Sequence, residues 1–184
     1  MLSTIFLLLL ACGFLCIDKS KTLVMILAVI FTIPMENSES NTAKSINGSL
    51  FNKIVRQAIE KLLAEQKIKF FVNEPRYNFP FKQKKQFSPD GEITLLNNRI
   101  IIYDNTTTIR HDRLKQKLWD AYGVKEHFNA KDIQVRYFVV IPDILSVKET
   151  RNALNEKNKI NDLQYYSSID DIITLAELLN IIAS

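Results

Sequence analysis

Cysteine, histidine and glycine are scarce in this chain. Both cysteines lie among the first 16 residues, so the body of the chain has neither a disulfide framework nor a cysteine-based metal site. The two histidines, His111 and His127, are sixteen residues apart with no third ligand at metal-binding spacing. Four glycines leave no glycine-rich phosphate loop, which argues against nucleotide-cofactor folds of that type. No serine, histidine and aspartate have a spacing that indicates a nucleophilic triad.

A long hydrophobic run is also missing from the N-terminal segment, residues 1–34. Its two apolar runs of about a dozen residues are separated by residues 18–21, and each is shorter than the roughly 20 residues of a membrane-spanning helix. No lysine or arginine precedes the first run, so the basic start of a signal peptide is absent. Two interpretations stay open: a membrane or export segment, which predicts a membrane-anchored protein, or translation from Met35, which predicts a cytoplasmic one.

The rest of the chain has the composition of a folded protein. Apolar residues make up 47% and charged residues 24% of the sequence, which is typical of globular domains and not of disordered or fibrous chains. Residues 35–184 are numerous enough for a single domain with one hydrophobic core. The net charge of +4 favours an anionic partner without specifying which.

Hydrophobic periodicity predicts a mixed α/β domain. Its second long helix is expected to bury one apolar stripe made of Leu114, Leu118, Trp119 and Tyr122. The predicted segments, in chain order, are a helix with its N-cap at Ser49, a strand at 68–72, a loop over 73–88, strands at 91–96 and 99–106 joined by a tight turn at 97–98, a helix at 110–124 with a C-cap at Gly123, a buried strand at 133–141, a polar helix at 147–159, an optional strand at 163–169 and a closing helix at 170–183 capped by Asp170.

Two acids are expected to meet at one end of the predicted hairpin. Asp90 precedes the first strand, and Asp104 lies near the end of its antiparallel neighbour. Two such carboxylates repel unless a cation lies between them, and magnesium binds through one or two carboxylates plus a substrate phosphate. The plainer interpretation is that Asp104 is a strand-end turn residue and that the basic helix after it is a solvated face. That helix carries cations suited to a nucleic-acid backbone, namely Arg110, Arg113, Lys115 and Lys117.

The segment around these acids resembles the PD-(D/E)xK motif of the restriction-endonuclease-like nucleases. Pro89-Asp90, thirteen intervening residues and Asp104-Asn105-Thr106 follow the pattern. The predicted element order from residue 49 to about 145 is similar to the αβββαβ core of that family, a mixed central sheet flanked by helices. The stretches "DNTTTIRHDRLKQKLWDAYGVK" and "YFVVIPD" resemble type II restriction enzymes. The resemblance implies magnesium-dependent hydrolysis of DNA phosphodiester bonds.

The resemblance also implies roles for individual residues. The lysine of the motif is replaced by Thr106, whose hydroxyl cannot supply positive charge to the transition state. Arg110 or Lys115 is the expected source of that charge. The implied metal ligands are Asp90, Asp104 and the backbone carbonyl of Asn105, with Glu92 as a stand-in on the same strand face and Glu60, rather than Glu65, as an acid from the first helix.

Two hypotheses follow for the function. The first is a restriction-type endonuclease that acts on double-stranded DNA, with Lys84 and Lys85 as further DNA contacts and with a homodimer left open. The second is a non-catalytic or decayed nuclease-fold protein, shortened or membrane-tethered, that retains nucleic-acid binding. A membrane is a partner only if residues 1–34 are retained.

Overall fold

The computed structural model describes residues 41–79, 82–109, 111–143, 145, 151–157 and 168–184. Residues 151–157 are helical, in agreement with the polar helix predicted there. The other elements, in chain order, are α1 (Asn41–Ala64), β1 (Ile68–Asn73), β2 (Tyr77–Phe79), β3 (Lys82–Phe87), β4 (Gly91–Leu95), β5 (Ile100–Asn105), α2 (His111–Asn129), β6 (Val135–Ile141), β7 (Asp171–Thr174) and α3 (Leu175–Ala183).

A five-stranded mixed sheet forms the centre of the fold, in the order β1-β4-β5-β6-β7. The pairs β1–β4 and β4–β5 are antiparallel, whereas β5–β6 and β6–β7 are parallel. The chain needs a helical crossover between parallel neighbours, and α2 is the crossover from β5 to β6. The predicted α/β class with a restriction-endonuclease-like core is confirmed, with β2 and β3 as an additional two-stranded sheet.

The central strand β5 is covered on both faces. Ile102 packs in one cluster with Tyr137 and with Leu114 and Leu118 of α2. Since successive side chains of a strand point to opposite faces, Ile101 lies on the other face, where α1 contacts β1 and β5. Helix α1 buries residues at helical spacing on the side that packs there, namely Phe51, Ile54, Val55, Ala58 and Ile59.

Helix α2 differs from its prediction in both its end and its buried face. Gly123 is not a C-cap, because the helix continues to Asn129. Trp119 and Tyr122 keep 47% and 41% of their surface exposed, so their assignment to the buried stripe is wrong. The predicted Leu114 and Leu118 are buried, and the same face of the helix is completed by Ala121, Val124 and Phe128.

Gly123 is needed for close packing against β3. A Cβ atom there would lie 2.2 Å from ring carbons of Phe87, whereas a Cβ at Gly48 in α1 would have nothing within 4 Å. Alanine in a helix is normally about 1 kcal/mol more favourable than glycine, but overpacking a core costs about 1–3 kcal/mol. We therefore expect Gly123→Ala to lower the free energy of unfolding and Gly48→Ala to raise it, as measured by urea denaturation. Equal stabilisation by both substitutions would show that Phe87 does not occupy this place.

Three other boundaries also differ from the sequence prediction. Helix α1 begins at Asn41, so Ser49 lies within it and is not its N-cap. The region predicted as a loop over 73–88 contains β2 and β3. The closing helix begins only at Leu175, where Thr174 and Glu177 form a capping box. Asp171–Thr174 instead pairs with β6 as β7, because Ile172 and Ile173 are β-branched and become buried beside that strand.

Some predictions fall outside the described residues. These include residues 163–167 of the optional strand and the whole of residues 1–34, so the boundary at Met35 and both interpretations of the N-terminal segment stay predictions. Within the described ranges, no helix is both long and apolar enough to cross a membrane.

Candidate active site

The register between β4 and β5 brings the two acids together. Gly91 pairs with Tyr103, so Asp90, just before β4, comes opposite Asp104. The backbone N–H of Asp90 donates to Asp104 Oδ1 at 3.3 Å, and the backbone N–H of Asn105 donates to Asp90 Oδ2 at 2.6 Å. The two acids therefore meet at one end of the hairpin, as the sequence indicates, while their role as metal ligands stays a prediction.

Two local features of the hairpin produce this register. Asn98 in the turn adopts a φ of 64°, a conformation that asparagine tolerates better than most residues. At the other end of the hairpin, a Cβ atom on Gly91 would lie 2.4 Å from ring carbons of Tyr103. Glycine thus allows the Tyr103 ring to lie against β4 immediately beside Asp90.

Asp104 is a buried carboxylate with charged and polar partners. It is 3% exposed and lies at the end of the core strand β5. Lys117 of α2 places its Nζ 2.9 Å from Asp104 Oδ1, and the Tyr137 hydroxyl of β6 donates to Oδ2. A hydrogen bond between an ammonium and a carboxylate is roughly twice as strong as a neutral one. Asp104 is thus held in one orientation from both of its oxygens.

The surroundings of the second acid, Asp90, raise the pKa of its carboxyl group. Its burial raises its pKa, and the negative charge of Asp104 raises it further. The Asn105 N–H and the charge of Lys117 act in the opposite direction but do not cancel the shift. The Asn52 amide of α1 donates to the other oxygen of Asp90 at 3.3 Å. A cation at the pair would relieve this repulsion and favour the ionised form.

Tyr137 contributes a fixed proton donor. Its burial, the charge of Asp104 and their hydrogen bond all raise the pKa of the Tyr137 hydroxyl well above its usual value. The hydroxyl therefore stays protonated and keeps donating to Asp104. Its place in the core, with no exposed surface, suits a residue that positions Asp104 rather than one that meets solvent.

The carboxylate oxygens of Asp90 and Asp104 are of the type that a hard divalent cation such as magnesium prefers. Within the described ranges no three or more His, Cys, Asp or Glu side chains gather at metal-binding separation. Magnesium, however, requires only one or two carboxylates when substrate oxygens and water complete its shell. One residue beyond Asp104, the Asn105 side-chain oxygen is buried and has no hydrogen-bond partner in the described part of the chain. Because buried polar atoms are generally hydrogen-bonded, this oxygen is available to accept from a water or to bind an ion.

The other predicted acids are engaged elsewhere. Glu92 accepts a hydrogen bond from the Tyr77 hydroxyl of β2. Glu60 pairs with Arg56 at 2.7 Å on the exposed side of α1, and Glu65 lies 2.9 Å from Lys67. None of these contacts involves Asp90 or Asp104, so the metal-binding role of these acids stays a prediction.

Thr106, at the lysine position of the motif, is committed to a local turn. Its hydroxyl donates to the Thr108 carbonyl at 2.7 Å and lies 3.3 Å from the Thr108 backbone N–H. Arg110 and the side chains of Lys84 and Lys85 lie outside the described residues. Arg113 and Lys115 are exposed on α2.

Lys117 is the residue whose position sequence reasoning missed, since the basic helix suggested only phosphate contacts. The helical spacing nevertheless indicates that Lys117 faces the sheet. Leu114 and Ala121 are buried against the sheet, and Lys117 lies three residues after the first and four before the second, on the same helix face. A lysine on a buried helix face is expected to have an acidic partner.

Comparison with known proteins finds a similarity to a restriction enzyme. The chain is 26% identical over 145 residues, 77% of its length, to the type II restriction enzyme BsuFI of Bacillus subtilis. The match covers 35% of BsuFI, so the chain spans about a third of the length of this relative. No protein-family model and no solved structure matches the chain.

Proposed function

We propose that the chain is a nuclease domain that hydrolyses phosphodiester bonds of double-stranded DNA with magnesium. The observation that carries the proposal is the meeting of Asp90 and Asp104 at one sheet end, with the ammonium of Lys117 2.9 Å from Asp104. The similarity to a type II restriction enzyme supports the same class of reaction. A purely structural ion pair explains Lys117 and Asp104, but it does not explain a second carboxylate, Asp90, placed against the first.

Asp90 and Asp104 would hold the magnesium ion, which when bound would supply Lewis-acid polarisation of the phosphodiester and activation of water. The backbone carbonyl of Asn105 would add a third oxygen. The protein contributes the positions of these groups. Asp104 is held by Lys117 and Tyr137, and Asp90 by the backbone of Asn105 and the amide of Asn52.

Lys117 takes the role that the motif assigns to a lysine on the strand. Its side chain is 24% exposed, so it both reaches Asp104 and borders solvent, where a substrate phosphate would lie. A fixed positive charge at this position stabilises the negative charge that develops on the phosphate in the transition state. Thr106 supplies no such charge, and its hydroxyl is already bonded to Thr108.

The exposed cations of α2 would position the DNA. Arg113 and Lys115 lie on the same helix as Lys117 and are exposed. Lysine and arginine contacts to phosphates fix the position of a protein on a duplex and make its affinity depend on salt. Arg113 and Lys115 would thus set affinity, and Lys117 would set the rate.

The function is tested with the purified full chain and four substrates: double-stranded phage DNA, its denatured single strands, a double-stranded RNA and a single-stranded RNA. We expect new DNA ends with the duplex DNA in magnesium chloride and none in EDTA. Cleavage that persists in EDTA would contradict the magnesium site. Preferred cleavage of either RNA would overturn the assignment of DNA as substrate. An intact duplex at every magnesium concentration would favour the non-catalytic alternative.

A further inference from the structure

Strands β2 and β3, residues 77–79 and 82–87 and here called the ribbon, form a two-stranded sheet separate from the central one. Tyr77 pairs with Phe87, and Asn78 pairs with Gln86. The first pair is buried and the second pair is exposed. One face of the ribbon therefore packs on the domain, and the other presents two amide side chains from neighbouring strands to solvent.

The base of the ribbon is firmly held. The Tyr77 ring packs against Phe128 of α2 with ring centroids 5.2 Å apart, and its hydroxyl donates to Glu92. Phe87 occupies the space left free by Gly123. His127 Nδ1 lies 2.9 Å from the Asn78 carbonyl. The backbone that carries Asn78 and Gln86 is thus fixed by packing on both strands.

The exposed pair has the chemistry of a base-reading contact. Each amide offers donors and an acceptor, and within the described residues neither side chain makes a hydrogen bond. The major groove of DNA admits a two-stranded ribbon, and asparagine or glutamine binds adenine through N6 and N7 with two hydrogen bonds. The sequence of β3 also contains three lysines, a composition that favours an anionic partner.

The ribbon is also close in sequence to Asp90, which with Asp104 is here called the acid pair. Gln86 precedes Asp90 by four residues, which span at most about 14 Å. Base pairs of duplex DNA are about 3.4 Å apart along the axis. With the reach of the two side chains added, bases contacted by Gln86 would lie within about one helical turn, roughly ten base pairs, of the phosphate at Asp90 and Asp104.

We infer that the ribbon enters the major groove of the substrate DNA and that Asn78 and Gln86 select its sequence, with adenine as the favoured base. The inference rests on the proposed nuclease function, because it takes duplex DNA as the substrate. It assigns sequence selection to two residues that neither touch the acid pair nor contribute to its charge.

The test selects sequences from a pool of random duplexes, by binding in EDTA and, separately, by cleavage in magnesium. The full chain is compared with Asn78→Ala and Gln86→Ala, and with Asn180→Ala and Gln57→Ala as matched controls on exposed helix positions. We expect the wild-type chain and both controls to enrich the same motif, with an A·T pair at one or two positions. Each ribbon variant should lose its preference at one of those positions by about five- to 150-fold.

The outcomes distinguish a failure of the nuclease function from a failure of the ribbon's role in sequence selection. Enrichment of one motif by all five proteins, or of none by the wild-type chain, overturns the role of the ribbon. Enrichment by binding without any cleavage overturns the nuclease function and still tests the ribbon through the variants. A loss of preference that also appears in Asn180→Ala or Gln57→Ala would show a general effect of the substitution and would overturn the assignment to Asn78 and Gln86.

Discussion

Asp104→Asn is expected to abolish magnesium-dependent DNA cleavage while leaving DNA affinity unchanged or higher. The substitution preserves the shape of the side chain and its hydrogen bond with Tyr137, but removes the charge that would hold the cation. Affinity does not fall, because one negative charge facing the phosphates is lost. The measurement pairs a single-turnover cleavage rate with a binding titration on the same duplex.

Asp132→Asn is the matched control for this change. Asp132 is exposed and has a φ of 57°, which asparagine tolerates, so the control makes the same charge change away from the site. Cleavage by the control should equal that of the wild-type chain. A cleavage rate of Asp104→Asn within a few-fold of the control would remove Asp104 from the mechanism.

Lys117→Ala is expected to lower the cleavage rate by on the order of a hundredfold, about 3 kcal/mol of transition-state stabilisation. The reason is the loss of the only described ammonium in contact with Asp104. Adding Thr106→Lys should restore part of the rate, because it returns a cation to the strand position of the motif. In the wild-type background, Thr106→Lys should preserve or increase the rate.

Lys115→Ala separates this effect from DNA binding. It removes the same charge from an exposed position on the same helix. We expect it to weaken binding with a shallower salt dependence and to leave the rate at saturating DNA unchanged. If Lys115→Ala and Lys117→Ala change both quantities alike, Lys117 is a phosphate contact and its place in the mechanism is lost.

The meeting of the two acids was predictable because it depends on local structure alone. The observed turn covers residues 96–98, with Leu95 and Arg99 hydrogen-bonded across it, so the prediction of a two-residue turn at 97–98 is wrong. The predicted turn would have placed Asp90 opposite Asn105, so the sequence predicts that the acids meet at the hairpin end but not their exact register. Alternation of apolar residues in β4 and the apolar run of β5 identify both strands. The acid pair follows from those elements without any knowledge of tertiary packing.

Lys117 and the ribbon were not predictable in the same way, because both depend on contacts between distant segments. Which α2 residues face the sheet is decided by packing, and the large aromatic side chains of Trp119 and Tyr122 stay partly exposed beside the buried face. The strands of the ribbon carry three lysines and two glutamines, so their strand character depends on Tyr77 and Phe87 packing against α2. The β7 strand likewise exists because β6 offers a parallel neighbour.

Magnesium binding tests most directly whether the acid pair is a metal site rather than a structural cluster. Thermal unfolding of the full chain is followed during a magnesium chloride titration, without DNA, for the wild-type chain, Asp104→Asn and Asp132→Asn. A ligand that binds only the folded state stabilises it, by roughly 5–10 °C at about 100 times its dissociation constant. We predict this rise for the wild-type chain and Asp132→Asn and its absence in Asp104→Asn. An equal rise in all three proteins, or none in the wild-type chain, would contradict a magnesium site at Asp90 and Asp104.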